Sequence, residues 1–148
     1  MAQSYREYET EPGVRVVQFD TYEAKPRIHV VEFVKLRSFG MTCSFMRLSM
    51  RIYRYARESP GYYAGGIRGQ WWRRSFYSYT IWEDRDAMLH FVHTGPHANA
   101  VARMPEFAAP GSCYTEFVSE SPPDWEVAER HLQTPTRYFV PPEIGLFR

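Results

Sequence analysis

The chain has 148 residues, 44% of them hydrophobic and 24% charged, a balance typical of one globular domain with a single core. Its formal net charge of +1 gives no broad positive field for nucleic acid, and no apolar run approaches the roughly 20 residues of a membrane span. The two cysteines lack metal or redox spacing and the N-terminus lacks the apolar segment of a signal peptide, so we predict a cytoplasmic protein with no nucleic-acid or membrane partner.

The first 26 residues predict an N-terminal arm, because they are polar apart from a short apolar run at Val14–Phe19 that suits a strand. The core begins at Arg27, and residues 28–34 are apolar on both alternating faces, as in a central strand buried on both sides. Glu32 is the exception, since a buried carboxylate needs a partner or a wet cavity. A structural Glu32 paired with an arginine and a functional Glu32 both remain open at this point.

A helix and a hairpin follow this strand. Residues 44–58 predict an amphipathic helix with a stripe of arginines opposite its apolar side, and we interpret the stripe as a solvated face rather than an anion site. Pro60 and Gly61 end the helix. Residues 62–70 and 75–82 then predict two strands joined by a hairpin connection. Alternation along the second of them places on one face Phe76, Ser78, Thr80 and Trp82, and on the other Tyr77, Tyr79 and Ile81.

The next helix is expected to begin at Asp84, whose charge suits a helix N-terminus, and to run to about residue 94, where Gly95-Pro96 breaks it. The remaining elements are predicted as a short helix over about 97–104, a loop over 105–111, a strand over 113–119, an amphipathic helix over 125–132 and an extended tail.

The order strand, helix, strand, strand, helix, strand predicts an α+β domain of the ferredoxin-like β-α-β-β-α-β class. We place this domain at 27–120, between an N-terminal arm at 1–26 and a C-terminal helix and extended tail at 121–148. Two helices would cover one face of the sheet. Face-to-face pairing of two sheets would cover the other face, so the expected assembly is a homodimer that forms a dimeric α+β barrel.

Residues 80–104 carry a pattern of their own: a strand that ends in Trp82-Glu83, a helix that begins near Asp84, then Phe91, then His97 after Gly95-Pro96. This pattern resembles the antibiotic biosynthesis monooxygenase superfamily of dimeric α+β barrels, which also includes small polyketide cyclases, muconolactone isomerases and haem-degrading monooxygenases. The Gly-Pro-His version also looks like spheroidene-monooxygenase-type relatives. The resemblance covers about residues 27–120.

The resemblance implies a small-molecule tailoring enzyme, namely a cofactor-independent monooxygenase that acts on an aromatic or polyketide-like natural-product intermediate. In such members the substrate itself gives the electron to oxygen, and the pocket supplies apolar walls, a proton acceptor and hydrogen bonds. Trp82 and His97 occupy the matching family positions. The first strand lacks the asparagine that haem-degrading relatives carry, so we expect no cofactor and keep haem or a metal as the alternative.

His97 is the expected catalytic base, because it opens a helix after Gly95-Pro96 and an imidazole titrates near neutrality. A structural hydrogen bond from His97 to a loop carbonyl is the open alternative. Glu32 and Tyr79 are the further expected catalytic groups. The expected cavity walls and substrate contacts are Trp82, Tyr77, His93, Phe91, Arg103 and Trp72.

His90, His93 and His97 follow one another at spacings of three and four, which on one continuous helix is metal-ligand spacing. The first two fall on the outer side of the predicted helix and Pro96 interrupts it, so we expect no metal site. Three functions therefore remain: the monooxygenase, a non-oxidative cyclase, isomerase or dehydratase on the same fold, and a haem- or ligand-binding protein without catalysis.

Overall fold

The computed structural model describes residues 5–11, 14–19 and 22–144 of the chain. No described helix is both long and apolar enough to cross a bilayer. The strands are β1 (Tyr5–Glu11), β2 (Val14–Phe19), β3 (Arg27–Lys35), β4 (Tyr62–Gln70), β5 (Ser75–Trp82), β6 (Cys113–Ser119) and β7 (Arg137–Tyr138). The helices are α1 (Thr42–Glu58), α2 (Arg85–His93), α3 (Gly95–Phe107) and α4 (Trp125–Leu132), with short 3-10 turns at Phe39–Met41 and Trp71–Arg73.

The strands form one antiparallel sheet in the order β1-β2-β4-β5-β3-β6-β7. In its middle, β4-β5-β3-β6, helix α1 connects β3 to β4, and α2 with α3 connects β5 to β6. This is the ferredoxin-like arrangement, so the predicted α+β fold class is confirmed. Strands β1 and β2 extend the sheet beyond β4, and β7 extends it beyond β6. Both predicted extensions therefore contribute strands to the sheet of the core.

One face of the sheet packs against α1, α2 and α3. Alternation along β3 and β5 turns Val34, Phe76 and Trp82 toward these helices, where they meet the buried rings of Phe45 and Phe91. Burying side chains of this size stabilises the fold by about 1.5–3 kcal/mol each. The predicted separation of the two faces of β5 is confirmed.

The opposite face of the sheet is partly covered by the chain's own C-terminal helix. Ala128 and Trp125 of α4 pack on Val31, Tyr79 and Ile81, and Ala128 has no exposed surface. From the sequence, a second subunit was expected to cover this face. The structure shows an internal cover over this part of it, and the homodimer stays a prediction.

Two local features differ from the prediction. Helix α3 begins at Gly95 and continues through Pro105 to Phe107, so the expected loop over 105–111 starts later. The burial of Phe107 in the core offsets the backbone hydrogen bond that a proline cannot donate. The predicted extended tail also contains a short strand that was not predicted, β7, in which Tyr138 pairs with Cys113 of β6.

Candidate active site

A cavity of about 110 Å³ lies between the sheet and the helices α1 and α3. Aliphatic and aromatic side chains form most of its wall, among them Phe45, Ile52, Phe76, Phe91 and Met104. Such a cavity suits an apolar or aromatic ligand that is oriented by a small number of polar groups.

The polar part of the wall is built on Glu32 and His97. Alternation along β3 turns Glu32 toward the helices, and Gly95-Pro96 starts α3 so that His97 lies in its first turn. Oε1 of Glu32 and Nε2 of His97 are 3.7 Å apart. These two residues were predicted on separate grounds, and the structure brings them together. Their catalytic roles stay predictions.

Each member of the pair is oriented by a second partner. Nδ1–H of His97 donates to the Val92 carbonyl at 3.3 Å, close to the end of α2, where carbonyls lack helical partners. Ser78 lies directly opposite Glu32 in the register of β3 and β5 and donates its hydroxyl to Oε2 at 3.3 Å. Because Nδ1 keeps its proton in this hydrogen bond, Nε2 is the nitrogen that gains or loses one beside Glu32.

The environment of His97 shifts its pKa in two opposing directions. Burial, which leaves 9% of the residue exposed, lowers the pKa of an imidazole. The carboxylate of Glu32, 3.7 Å from Nε2, together with the Val92 carbonyl, outweighs burial, so the pKa of His97 is raised above 6.5. The stabilisation from this group is therefore complete below pH 6.5 and is lost as the pH rises through the raised value.

Replacing Glu32 with Gln is expected to lower the pKa of His97, because the variant removes the charge that raises it and keeps the burial that lowers it. An NMR titration of the His97 ring should give a midpoint above 6.5 in the wild type and below 6.5 in the variant. Ser78→Ala is the matched control, since it keeps the carboxylate and should leave the midpoint above 6.5. An unchanged midpoint in Glu32→Gln would contradict the pairing.

A stack of aromatic rings supports His97. The ring centroid of Phe91 lies 4.7 Å from that of His97 and 4.8 Å from that of Trp82, and Phe91 also stacks with Tyr55 at 5.8 Å. Trp82 is fully buried and donates Nε1–H to the Thr80 hydroxyl at 3.0 Å. Phe91 therefore lies in the cavity wall. Trp82, which was also expected in the wall, lies behind Phe91.

Gly95→Ala is expected to destabilise the fold by about 2 kcal/mol, because Gly95 has φ +59 and an added Cβ would lie 2.6 Å from the ring of Tyr55. Urea unfolding measures this free energy. Gly111→Ala is the matched control: its φ is +93, but an added Cβ would meet no atom within 4 Å, so it should cost about half as much. If the two substitutions lower the free energy of unfolding equally, the ring of Tyr55 moves aside at no cost, which would contradict the prediction.

The structure places two of the predicted tyrosines on the other side of the sheet. The rings of Tyr77 and Tyr79 lie 6.4 and 5.7 Å from that of Trp125 in α4, although Tyr77 also borders the cavity. The Tyr79 hydroxyl shares a hydrogen bond of 2.5 Å with Nδ1 of His29. The three residues predicted as catalytic therefore do not meet in one cavity, because Tyr79 is turned away from the pair.

Three further predicted substrate contacts lie outside the cavity wall. His93 is exposed on α2, and Trp72 is exposed on the turn after β4. Arg103 is exposed on α3 and pairs with Glu106 at 3.4 Å. Residue type alone suggested these contacts, and the helix faces determined by packing separate them from the cavity.

The spaced histidines do not converge. His90 and His93 are exposed on α2, and His97 is buried on α3 after the break at Gly95-Pro96. Among the described residues, no group of three or more His, Cys, Asp or Glu side chains is arranged to hold a metal ion.

Three contributions to the site were not predicted from the sequence. Ser78, the partner of Glu32, could have been recognised from the sequence, because it is a polar residue on the helix-facing side of β5. Helix α1 supplies Ile52 and Phe45 to the wall, but an apolar helix face looks the same whether it lines a cavity or fills a core. Phe139 reaches the wall from the tail, and no sequence pattern indicated its position.

Comparison with known proteins supports the fold. No protein-family model and no curated protein matches the chain. The structure of SnoaB, a cofactor-independent oxygenase from Streptomyces nogalater, is 15% identical with a TM-score of 0.51, covering 68% of this chain and 96% of that one. Rv0793 from Mycobacterium tuberculosis is 14% identical with a TM-score of 0.57, covering 68% and 97%. An antibiotic biosynthesis monooxygenase is 14% identical with a TM-score of 0.54, covering 65% and 99%. Identities this low show a shared fold, and the predicted resemblance is confirmed at that level.

Proposed function

We propose that the chain is a small-molecule tailoring enzyme, a cofactor-independent monooxygenase that acts on an aromatic, polyketide-like natural-product intermediate. The observation that carries this proposal is the pairing of Glu32 with His97 in the wall of an apolar, ring-lined cavity. A buried imidazole beside a carboxylate is suited to take a proton from a phenol or an enol. The reaction class is further supported by SnoaB, a protein of the same fold that is described as a cofactor-independent oxygenase.

The size of the cavity favours a single aromatic ring. Its volume of about 110 Å³ is similar to the roughly 150 Å³ of an engineered apolar cavity that binds benzene. Phe45, Phe76 and Phe91 offer ring contacts, and His97 with Glu32 forms the polar side. We expect a phenolic ring to bind with its hydroxyl toward His97, while the rest of a larger intermediate extends through the mouth of the cavity.

In the proposed reaction, neutral His97 accepts the phenolic or enolic proton at Nε2, and Glu32 stabilises the imidazolium that forms. The electron-rich anion then reduces dioxygen. For an anthrone-like substrate, a CH₂ group becomes a carbonyl, one oxygen atom stays in that carbonyl, and the other leaves as water with the two hydrogens. The substrate supplies all the electrons, and Ser78 keeps Glu32 oriented.

The same pair also favours a second candidate, a non-oxidative cyclase, isomerase or dehydratase. Glu32 and His97 together provide one group that gives a proton and one that accepts it, which is what proton transfer beside a carbonyl needs. This chemistry proceeds without oxygen, and an anaerobic assay therefore separates the two candidates.

We also propose that the protein acts as a homodimer in the cytoplasm, as the resemblance to dimeric α+β barrels implies. Because α4 packs on part of the outer sheet face, a partner subunit would contact α4 together with the sheet beside it. Sedimentation velocity of the purified protein tests this assembly, and a monomer across a wide concentration range would contradict it.

Oxygen uptake by the metal-free protein, with a panel of anthrones, naphthols and other phenols as substrates, tests the proposed function. Uptake that matches product formation mole for mole supports the monooxygenase. Product that forms at the same rate without oxygen rejects it and supports the second candidate. A Soret band in the purified protein, or turnover that depends on a stoichiometric metal, would contradict cofactor independence.

A further inference from the structure

Two adjacent turns at one end of the sheet expose large aromatic side chains. Phe39 is 62% exposed on the turn before α1, and Trp71 and Trp72 are 42% and 66% exposed on the turn between β4 and β5. The turns are held together by a hydrogen bond of 2.8 Å from the Leu36 N–H to the Arg74 carbonyl. Single exposed apolar residues are common on soluble proteins, but a group of three rings of this size marks a contact surface.

Positive charge surrounds these rings. The guanidinium of Arg74 lies 5.1 Å from the centre of the Phe39 ring and donates to the Arg37 carbonyl at 3.0 Å. Arg73 is exposed beside them. The ion pairs found in the described part of the chain involve other arginines. We define the aromatic–arginine patch as Arg37, Phe39, Trp71, Trp72, Arg73 and Arg74.

The backbone at Arg74 supports a function for this surface. Arg74 has φ +54, in the left-handed region that glycine or asparagine adopts more readily. A non-glycine residue in this conformation costs about 1–2 kcal/mol. This strained residue places a guanidinium that bridges the two turns by donating to the Arg37 carbonyl.

We propose that the aromatic–arginine patch docks on an anionic lipid surface. Tryptophan prefers the boundary between the headgroups and the acyl chains, and arginine near the surface is attracted to anionic lipid phosphates. A stable protein–protein interface uses about 20–30 residues a side, many more than these two turns present. No membrane partner was expected from the sequence, because it contains no apolar run long enough to span a bilayer. Peripheral docking of this kind needs no spanning segment.

The patch also adjoins the cavity, because the ring of Trp71 contacts that of Phe76 at 5.6 Å and Phe76 lines the cavity wall. Docking would therefore bring lipid next to the apolar end of the cavity. The docking itself does not depend on the proposed enzymatic function, so it can be tested with the protein alone.

Co-sedimentation with vesicles tests the proposal. The protein is expected to bind vesicles of phosphatidylcholine with phosphatidylglycerol, to bind pure phosphatidylcholine vesicles much more weakly, and to dissociate as salt is added. Arg73→Glu should weaken the binding by at least about fivefold, since it removes one cation and adds an anion. Trp72→Ser should also weaken the binding to anionic vesicles. Because the side chains of Arg73 and Trp72 are exposed, both variants should keep the fold.

Two matched variants control for charge and for apolar surface. Arg54→Glu makes the same change of charge near the C-terminal end of α1, away from the patch, and Val118→Ser removes an apolar side chain that is 65% exposed on β6. Both should bind anionic vesicles like the wild type. The proposal is overturned if the wild type does not bind anionic vesicles, if the patch variants bind as well as the controls, or if the protein binds single-stranded RNA or polyglutamate instead of the vesicles.

Discussion

His97→Asn is expected to lower kcat/KM for the proposed reaction by about 10²- to 10⁴-fold, the range that a positioned general base contributes. Asparagine keeps a polar side chain of similar size at this buried position, but it cannot accept the substrate proton. The effect should fall on kcat more than on KM, because the apolar walls that bind the ring are unchanged. Initial rates of product formation measure it.

His90→Asn is the matched control for this prediction. His90 is exposed on α2, outside the cavity wall, and the same substitution there should leave kcat/KM unchanged. Glu32→Gln should also reduce kcat/KM and move the midpoint of its pH profile downward, in parallel with the pKa of His97. If His97→Asn keeps activity within about threefold of the wild type, His97 is not the base.

The second large effect is expected at acidic pH and comes from His29 on the opposite face of the sheet. His29 is 1% exposed, and its pKa is lowered from 6.5 to about 4. Burial is the main cause, and the charges of Arg27 and His131 act in the same direction, while the Ser119 backbone opposes them. Since the neutral form is favoured in the folded state, the stabilisation is complete above pH 6.5 and is lost as the pH falls toward 4. The loss amounts to about 3 kcal/mol.

Urea unfolding of the wild type and His29→Gln at several pH values measures this effect. The variant lacks the titrating ring, so its free energy of unfolding should fall about 3 kcal/mol less between pH 6.5 and pH 4. The difference between the two proteins excludes the acid titration of carboxylates, which both share. His97 does not contribute in this range, because its pKa is raised and its stabilisation is lost only above pH 6.5. Parallel curves for the two proteins would contradict the low pKa of His29.

Much of the fold could be predicted from the sequence because the pattern is local. The alternation of apolar residues predicts β5 and β6, and Gly95-Pro96 separates α2 from α3. The predicted end of α3 was wrong, because proline is unfavourable inside a helix. Only the tertiary burial of Phe107 offsets the cost of Pro105. The pairing of β7 with β6 was missed, because two residues carry no periodicity.

The candidate site was predictable in part for a similar reason. Glu32 was conspicuous as a carboxylate in an apolar strand, and His97 as a titratable group at a helix start. Their contact depends on how α3 packs against β3, which no short-range pattern specifies. The same limit explains Tyr79: alternation placed it on the face opposite Trp82, but the sequence did not show that α4 would cover that face.

Binding of substrate in the cavity that carries Glu32 and His97 can be followed by ¹⁵N-histidine NMR. The phenol that the oxygen assay turns over fastest would be added to the protein under anaerobic conditions. If substrate binds in this cavity, the His97 resonances shift in a saturable manner, while those of exposed His90 do not. A ligand that saturates the protein and shifts His29 or His131 on the opposite face, while His97 stays unchanged, would contradict it.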